Sequence, residues 1–331
     1  MIISWNSTNQ CNMYCDHCYR ESGEASIGEL TTEEAKTLIN EIKKAGFMIM
    51  IFSGGEPLMR PDIVELIAHA SKVGLRPVIG SNGTLLTETL VRHLKEAGAL
   101  RIGISLDSLD VAKHNSLRKY DQAFEEAVRG MDLCNEAGLE FQIHTTVMKW
   151  NLNELDALTD FAVNKGAKAH HIFFLIPTGR GLQIEGDMLS ESEYEEVLNQ
   201  ILEKQKTVPI ELKPTCAPQF MRIAKEKDIE MRFTKGCIAG SSYCIISPKG
   251  DVQPCAYFDL RVGNVKETPF DQIWAQSEVF KKMRTEEYEG GCGICSYKSI
   301  CGGCRARAYY NYDGDYMGED SWCIMNKREA Q

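Results

Sequence analysis

Three cysteines near the start of the chain constrain its fold and its function more than any other feature does. Cys11, Cys15 and Cys18 follow a short apolar run and stand in a C-x3-C-x2-C spacing. A loop this tight can turn three thiolates towards one centre. Cysteine thiolates are the usual ligands of a [4Fe–4S] cubane, so three of them leave its fourth iron open for chemistry. A zinc site is the alternative, although zinc usually takes four Cys or His ligands and His17 is too close to serve as the fourth.

The composition excludes several classes of function. The chain has 331 residues, enough for one large and one small domain, and its formal net charge of −10 argues against nonspecific nucleic-acid binding. No apolar run is long enough to cross a bilayer, and the amino-terminal residues lack the pattern of a signal peptide. A cytoplasmic protein that binds neither membrane nor nucleic acid is therefore expected. Its thirteen cysteines are expected to be reduced, and most of them to bind metal.

Strand and helix patterns alternate over the first half of the chain. Apolar runs such as 47–52 are typical of strands buried on both faces, and glycines such as Gly46 and Gly74 end the intervening helices. Short connections predict parallel strands with right-handed crossovers. Strands are predicted at 2–5, 47–52, 76–79, 100–106, 140–147 and 169–176, and helices at 31–44, 61–72, 87–96, 121–136, 152–165 and 190–206. Six or seven strands fit an α/β fold with a partial (β/α)6 TIM-like barrel, followed by a small cysteine-rich domain.

Polar residues follow several of these strands, at the end of a barrel where chemistry takes place. Glycines there allow a backbone to approach a ligand closely, and a carboxylate can accept a hydrogen bond from an ammonium group. Ordinary turn formation and loop capping are the alternative. The candidates for cofactor binding are Gly54, Gly55, Glu56, Ser81, Asn82, Ser105 and Asp107.

His144, His170 and Arg180 are the candidates for a substrate pocket. Alternation along a strand sends His170 and His171 to opposite faces, so at most one of them points into the barrel. A histidine there could donate a proton or bind iron, and a hydrogen-bonded core histidine is the alternative. Arg180 could bind a carboxylate with both arms of its guanidinium, or it could lie in solvent.

Eight more cysteines lie in the last third of the chain. Eight thiolates would fill two [4Fe–4S] cubanes, and two zinc ribbons are the alternative. These eight are Cys237, Cys244, Cys255, Cys292, Cys295, Cys301, Cys304 and Cys323.

The cysteine loop resembles the signature of the radical S-adenosylmethionine (SAM) family, and Gly54-Gly55-Glu56 resembles the motif with which that family holds the SAM amino group. The resemblance implies that SAM binds the open iron and is split to a 5′-deoxyadenosyl radical. Ser81, Asn82, Ser105 and Asp107 match positions that contact SAM or line the substrate site.

The last third resembles the SPASM extension of that family. This implies a first auxiliary cluster on Cys237, Cys244, Cys255 and Cys304, and a second on Cys292, Cys295, Cys301 and Cys323. The signature does not fix Cys244, and Cys134 and Cys216 lie outside it. The implied domains are a barrel over 1–231, with the cluster loop at 1–20 and a proline-rich bridge at 208–231, and a SPASM domain over 232–331.

Three stretches together with the cysteine loop resemble the tetrapyrrole-modifying members of the family: residues 3–6, 170–174 and 301–308. The resemblance implies removal of two acetate side chains from 12,18-didecarboxysirohaem to give iron-coproporphyrin III, in alternative haem biosynthesis. Removal of propionates from the same compound in haem d1 biosynthesis and maturation of a ribosomal peptide stay open. The implied partners are an iron tetrapyrrole and a reductant such as ferredoxin or flavodoxin.

Overall fold

Seven parallel strands follow one another in sequence order across a single sheet, as the alternation predicts. The computed structural model describes residues 1–325. Each strand pairs in parallel with the next one along the chain, which is the arrangement of a partial barrel of the α/β class. The strands are β1 (Ile2–Asn6), β2 (Ile49–Ser53), β3 (Arg76–Ser81), β4 (Arg101–Ser105), β5 (Phe141–Val147), β6 (Ala169–Phe174) and β7 (Glu211–Thr215).

Helices connect these strands, and all six that the sequence predicts are present. The first begins with a capping box, in which the side chains of Thr31 and Glu34 each accept from the other's backbone N–H. The helices are α1 (Thr32–Lys44), α2 (Ile63–Lys72), α3 (Glu88–Glu96), α4 (Val111–Arg118), α5 (Ala123–Ala137), α6 (Leu155–Asn164), α7 (Glu191–Gln205), α8 (Phe220–Glu226), α9 (Phe270–Gln276), α10 (Glu278–Thr285), α11 (Gly290–Ile294) and α12 (Arg305–Asn311). Helix α4 was not predicted, because it is short and has no clear apolar face. Its N-cap Asp110, which accepts from Lys113 N, marks its start.

The predicted proline-rich bridge contains a strand, which corrects that part of the prediction. Strand β7 lies at the end of the sheet and pairs only with β6, where Pro214 is opposite Ile172. Proline lacks an N–H group and is tolerated at a sheet edge, because no further strand needs that donor.

The cysteine-rich segment extends the same sheet beyond β1. Strand β8 (Tyr243–Ile246) pairs in parallel with β1, and β9 (Asp251–Gln253) and β10 (Gly263–Asn264) follow in antiparallel order. Within residues 1–325 the sheet therefore has ten strands, and it continues across the domain boundary predicted at residue 231. Within residues 1–325, no helix combines the length and the apolar character needed to cross a membrane.

Candidate iron–sulfur centres and the barrel interior

The three amino-terminal cysteines lie in a loop that leaves the carboxyl end of β1. The backbone fixes this loop, since Cys11 N donates to Gly23 O at 2.9 Å and Gly23 N donates to Asn9 O at 3.0 Å. Cys11, Cys15 and Cys18 are half-buried free thiols. Burial raises the pKa of Cys11 to about 12, and the other two thiols add to the shift. A metal centre bound here would therefore have to displace the thiol protons.

Two glycines hold the loop after β2 directly against the cysteine loop. Gly55 N donates to Thr8 O at 2.8 Å, and Glu56 N donates to Gln10 O at 2.7 Å. A Cβ atom at Gly54 would collide with Thr8 O, and one at Gly55 would collide with Gln10 O. Glycine is therefore required at both positions. The structure brings together the two motifs on which the SAM prediction rests.

The Glu56 side chain is buried beneath this contact. Its carboxylate accepts hydrogen bonds from Leu58 N at 3.1 Å, the Ser81 hydroxyl at 2.9 Å and Asn82 N at 2.8 Å. Burial raises the pKa of Glu56 to about 7. The Asn82 amide also donates to Asn12 Oδ1, in the cysteine loop, at 2.8 Å. These side chains hold the ends of β2 and β3 against that loop. The three donors leave part of the acceptor capacity of the Glu56 carboxylate unused, and its contact with the SAM ammonium stays a prediction.

Ser105 and Asp107 have contrasting surroundings. Ser105 is half-buried at the end of β4 and donates to Ser81 O at 3.3 Å. Asp107 is fully buried and accepts from Arg118 Nε at 2.9 Å and Nη2 at 2.6 Å. Burial alone would raise the pKa of Asp107, but Arg118 and two neighbouring histidines outweigh it and lower that pKa to about 2. Asp107 is thus part of a buried ion pair, and its predicted contact with SAM or substrate stays a prediction.

We expect loss of Arg118 to destabilise the protein strongly. In Arg118→Met the Asp107 carboxylate stays buried without its counter-charge, and breaking a buried pair in this way costs about 3–5 kcal/mol. Because the pKa of Asp107 is depressed, the pair stabilises the fold above pH 3.8 and loses this effect as the pH falls towards 2. Arg101→Met is the matched control, since it breaks a half-exposed pair with Glu140 and should cost about 1 kcal/mol or less. Chemical unfolding at neutral pH measures both, and equal losses would contradict the assignment.

Arg180 also has a different role from the one predicted. Its Nε donates to Cys15 O at 2.9 Å, its Nη1 donates to Ser22 O at 2.7 Å, and its guanidinium carbon lies 4.8 Å from the centre of the Tyr14 ring. The guanidinium therefore binds backbone carbonyl groups of the cysteine loop. Its Nε and Nη1 are engaged there and do not face a substrate carboxylate.

Of the two histidines predicted for the barrel interior, the structure places one there. His144 lies on the inner face of β5, and its ring stacks on that of His171 with centres 5.4 Å apart. His170 faces the opposite side of β6 and is fully buried, with Thr145 Oγ1 at 2.9 Å and Thr159 Oγ1 at 3.0 Å. His170 is thus the hydrogen-bonded core histidine of the alternative interpretation. His171, which strand alternation equally allowed, occupies the interior in its place.

Four cysteines from separate parts of the chain gather around one small hydrophobic cluster that includes Phe258 and Met317. Burial raises the pKa of Cys255 well above its usual range, and the nearby thiols of the other three add to the shift. Cys216 lies outside the spacing pattern of the other three and was not predicted as a ligand, because it stands far ahead of them in the sequence, in the bridge segment. The four are Cys216, Cys237, Cys255 and Cys304.

Cys244 is not part of this group, which contradicts the ligand set that the resemblance implied. It lies on β8 opposite Ile3 of β1 and is fully buried in the main hydrophobic core. Burial raises the pKa of its thiol well above the usual range, and Arg284 is the charged group that partly offsets this. Alternation along β8 turns Cys244 to the same core face as Ile246, away from the other cysteines.

The other four cysteines of the last third line a single cleft. Asp320 N lies 3.4 Å from Cys292 Sγ, and Tyr297 N lies 3.4 Å from Cys295 Sγ. Burial raises the pKa of the Cys292 thiol, and Arg305 and the Asp320 N–H partly offset this shift. The four are Cys292, Cys295, Cys301 and Cys323, as the sequence predicts for one auxiliary cluster.

The three groups of thiols fit iron–sulfur clusters. In the part of the chain that the structure describes, residues 1–325, no three Cys, His, Asp or Glu side chains converge as ligands of a single metal ion would. A cubane requires a different arrangement, because each thiolate binds a different iron corner. In the loop that carries Cys11, Cys15 and Cys18, His17 Nδ1 is buried and has no hydrogen-bond partner within residues 1–325.

Comparison with known proteins gives the same result. Residues 5–162 match the radical SAM superfamily, and residues 237–305 match SPASM, an iron–sulfur cluster-binding domain. The AdoMet-dependent heme synthase of Nitratidesulfovibrio vulgaris is 44% identical over 341 residues, covering 99% of this chain and 93% of that protein. The chain belongs to the radical SAM family. As a radical SAM enzyme it uses SAM and more than one [4Fe–4S] cluster, which confirms the predicted cofactors.

Other relatives cover nearly all of this radical SAM enzyme. The AdoMet-dependent heme synthase of Methanosarcina barkeri is 44% identical, over 98% of this chain and 96% of that protein. The Fe-coproporphyrin III synthase of the same organism is 29% identical, over 99% and 88%. The structure of Streptococcus suis SuiB bound to S-adenosylmethionine aligns with a TM-score of 0.75 at 17% identity, over 98% of this chain and 77% of that one. This likeness confirms the predicted fold.

Proposed function

We propose that this radical SAM enzyme makes haem from iron-coproporphyrin III by converting two propionate side chains into vinyl groups. The observation that supports this proposal most directly is the 44% identity, over nearly the full length, to two proteins named AdoMet-dependent heme synthase. Identity to a protein named Fe-coproporphyrin III synthase, the activity that the sequence resemblance implied, is 29%. Removal of acetates from didecarboxysirohaem is therefore the second candidate within the same haem biosynthesis.

Each side-chain conversion balances as the loss of one hydrogen atom, one CO2 and one electron. The hydrogen atom leaves the propionate carbon next to the ring, the bond to the carboxylate breaks, and CO2 departs as the vinyl double bond forms. The remaining electron passes to a one-electron acceptor. When bound, the cluster and SAM together supply the 5′-deoxyadenosyl radical that accepts the hydrogen atom.

The residues of the chain hold these groups in place. Arg180 and the glycines after β2 fix the cysteine loop, and the buried Glu56, also after β2, joins them to Asn82 at the end of β3. A reductant such as ferredoxin or flavodoxin is the proposed electron source. We assign the SAM-cleaving cluster to Cys11, Cys15 and Cys18, the first auxiliary cluster to Cys216, Cys237, Cys255 and Cys304, and the second to Cys292, Cys295, Cys301 and Cys323.

The proposal is tested by incubating the reconstituted protein anaerobically with SAM, dithionite and iron-coproporphyrin III. Mass spectrometry should show a product lighter than the substrate by two formic-acid equivalents, with two molecules of 5′-deoxyadenosine formed for each haem. The Cys15→Ala variant, which lacks one ligand of the SAM-cleaving cluster, is the control and should give neither product.

Parallel incubations separate the competing functions. Loss of two acetate groups from didecarboxysirohaem, with iron-coproporphyrin III left unchanged, would replace the proposal with the second candidate. If neither tetrapyrrole is altered while the protein still cleaves SAM, the proposal is rejected and a peptide substrate becomes the next to test.

A further inference from the structure

A row of polar side chains crosses the inner face of four neighbouring strands. Strand register places Ser105 opposite His144, His144 opposite His171, and His171 opposite Lys213. Residues directly opposite one another on adjacent strands point to the same face and lie within contact distance. None of the roles assigned above uses His171 or Lys213.

The two histidine rings of this row are held rigidly. They are nearly parallel, with an angle of 11° between their planes. The His144 ring lies on the backbone of β4 where residue 103 is glycine, and a Cβ atom there would collide with the ring. The Gln142 side-chain amide lies 2.7 Å from His144 Nε2 and 3.2 Å from His171 Nδ1, so one group orients both rings.

His171 keeps one nitrogen for a ligand. Its Nδ1 faces Gln142, while its Nε2 lies 3.9 Å from the Glu211 carboxylate, too far for a hydrogen bond. The side chain is 18% exposed. Burial lowers the pKa of His144 to about 4 and that of His171 well below its usual range, so both imidazoles are neutral at physiological pH. A histidine that ligates a metal donates its other ring N–H to an acceptor. Ligation by His171 Nε2 therefore requires the proton on Nδ1 and the Gln142 amide rotated so that its oxygen, rather than its nitrogen, faces the two rings.

Lys213, beside His171, is a largely buried cation. Its ammonium lies 4.5 Å from the centre of the Phe233 ring, and no carboxylate within residues 1–325 forms an ion pair with it. Burial lowers the pKa of this lysine. The nearby Glu211 carboxylate offsets part of this effect. An anionic group of a ligand in direct contact with the ammonium would stabilise this side chain further, because a buried charge is unfavourable unless it is paired.

We infer that this row binds the iron tetrapyrrole, with His171 Nε2 as the axial ligand of its iron and Lys213 as the partner of one of its propionates. The inference rests on the proposed function only for the class of substrate, an iron porphyrin that carries carboxylates. His144 and Gln142 act as positioning residues, because they fix the His171 ring. Ser105, at the other end of the row, donates to Ser81 O in the loop after β3, so the row reaches the side of the barrel that carries the SAM motifs.

Titration of the reconstituted protein with iron-coproporphyrin III, without SAM, tests the ligand. We expect a shifted Soret band and, in the ferrous nitrosyl complex, the electron paramagnetic resonance splitting that a histidine nitrogen trans to the nitrosyl group produces. His171→Ala should lose both features, and added imidazole should restore them. His170→Ala should keep them, because His170 is next to His171 in the chain but faces the opposite side of the strand. His69→Ala, on the exposed surface of α2, serves as a second control should the buried His170 variant fold poorly.

Metal-free coproporphyrin III separates iron ligation from carboxylate pairing. Lys213→Met should weaken binding of the iron and the metal-free porphyrin alike, by about tenfold or more for a lost charged hydrogen bond. His171→Ala should weaken binding of the iron porphyrin alone. Unchanged spectra in His171→Ala would overturn the inference, and continued haem formation by that variant would leave the proposed function standing. A histidine-ligated complex that yields no haem would instead refute the function and support the site.

Discussion

Replacing Cys216 with alanine is expected to remove one auxiliary cluster, lowering the iron content of the reconstituted protein by about four atoms per chain. Cys216 shares a hydrophobic cluster with Cys237, Cys255 and Cys304, and burial together with the thiols of Cys304 and Cys237 raises the pKa of Cys216 to about 12. These four thiols are the ligand set that we propose, and three of them would hold a cubane less firmly than four. Iron and sulfide analysis combined with Mössbauer spectroscopy measures the loss.

Cys244→Ala is the matched control for this prediction. Cys244 is a fully buried side chain in the main core, so its loss leaves a small cavity and modest destabilisation but should not change the iron content. The SAM-cleaving cluster has its own ligands, so both variants should still form 5′-deoxyadenosine under dithionite. Iron loss in Cys244→Ala with full iron content in Cys216→Ala would restore the ligand set implied by the SPASM signature and refute the one proposed here.

A single methyl group at position 55 is expected to lower SAM cleavage by about a hundredfold or more. The added Cβ atom of Gly55→Ala would collide with the carbonyl oxygen of Gln10, next to the first cluster cysteine. The atoms that this Cβ would meet, including Gln10 O and Asn9 O, belong to the backbone, and the Gly55 N and Glu56 N hydrogen bonds hold the two segments together. The cysteine loop therefore has to move, and the open iron moves with it.

Gly186→Ala provides a control of the same chemical size, because no atom lies within 4 Å of the Cβ that would be added there. The rate of 5′-deoxyadenosine formation with dithionite is the measurement, together with the iron content. A Gly55→Ala protein that cleaves SAM at the wild-type rate would show that the glycine contact does not position the cluster.

Local patterns were enough to predict the barrel strands and the meeting of the two SAM motifs. Apolar runs, helix caps and helix-ending glycines can each be recognised from a few consecutive residues. The carboxyl ends of parallel strands must then lie at one edge of the sheet. Strand β7 escaped prediction because its sequence, Glu-Leu-Lys-Pro-Thr, is polar and contains a proline that only an edge position tolerates.

The directions of side chains were harder to predict. Glu56 and Asp107 were placed at the correct strand ends, but donors far away in sequence turn them into the interior. Cys216 and His171 were missed for a related reason. The first joins its partners only through the tertiary fold, and alternation alone left the choice between the second and His170 undecided.

The pairing of β8 with β1 has a consequence for any attempt to dissect the chain. A truncated protein ending near residue 231 would leave the outer edge of β1 without its hydrogen-bonding partner, and a bare edge of this kind promotes aggregation. Strand β1, which leads into the cysteine loop, has hydrogen-bonding partners on both edges only when the last third of the polypeptide has been synthesised. The amino-terminal portion should therefore be insoluble when expressed alone, and co-expression of the missing segment should rescue it.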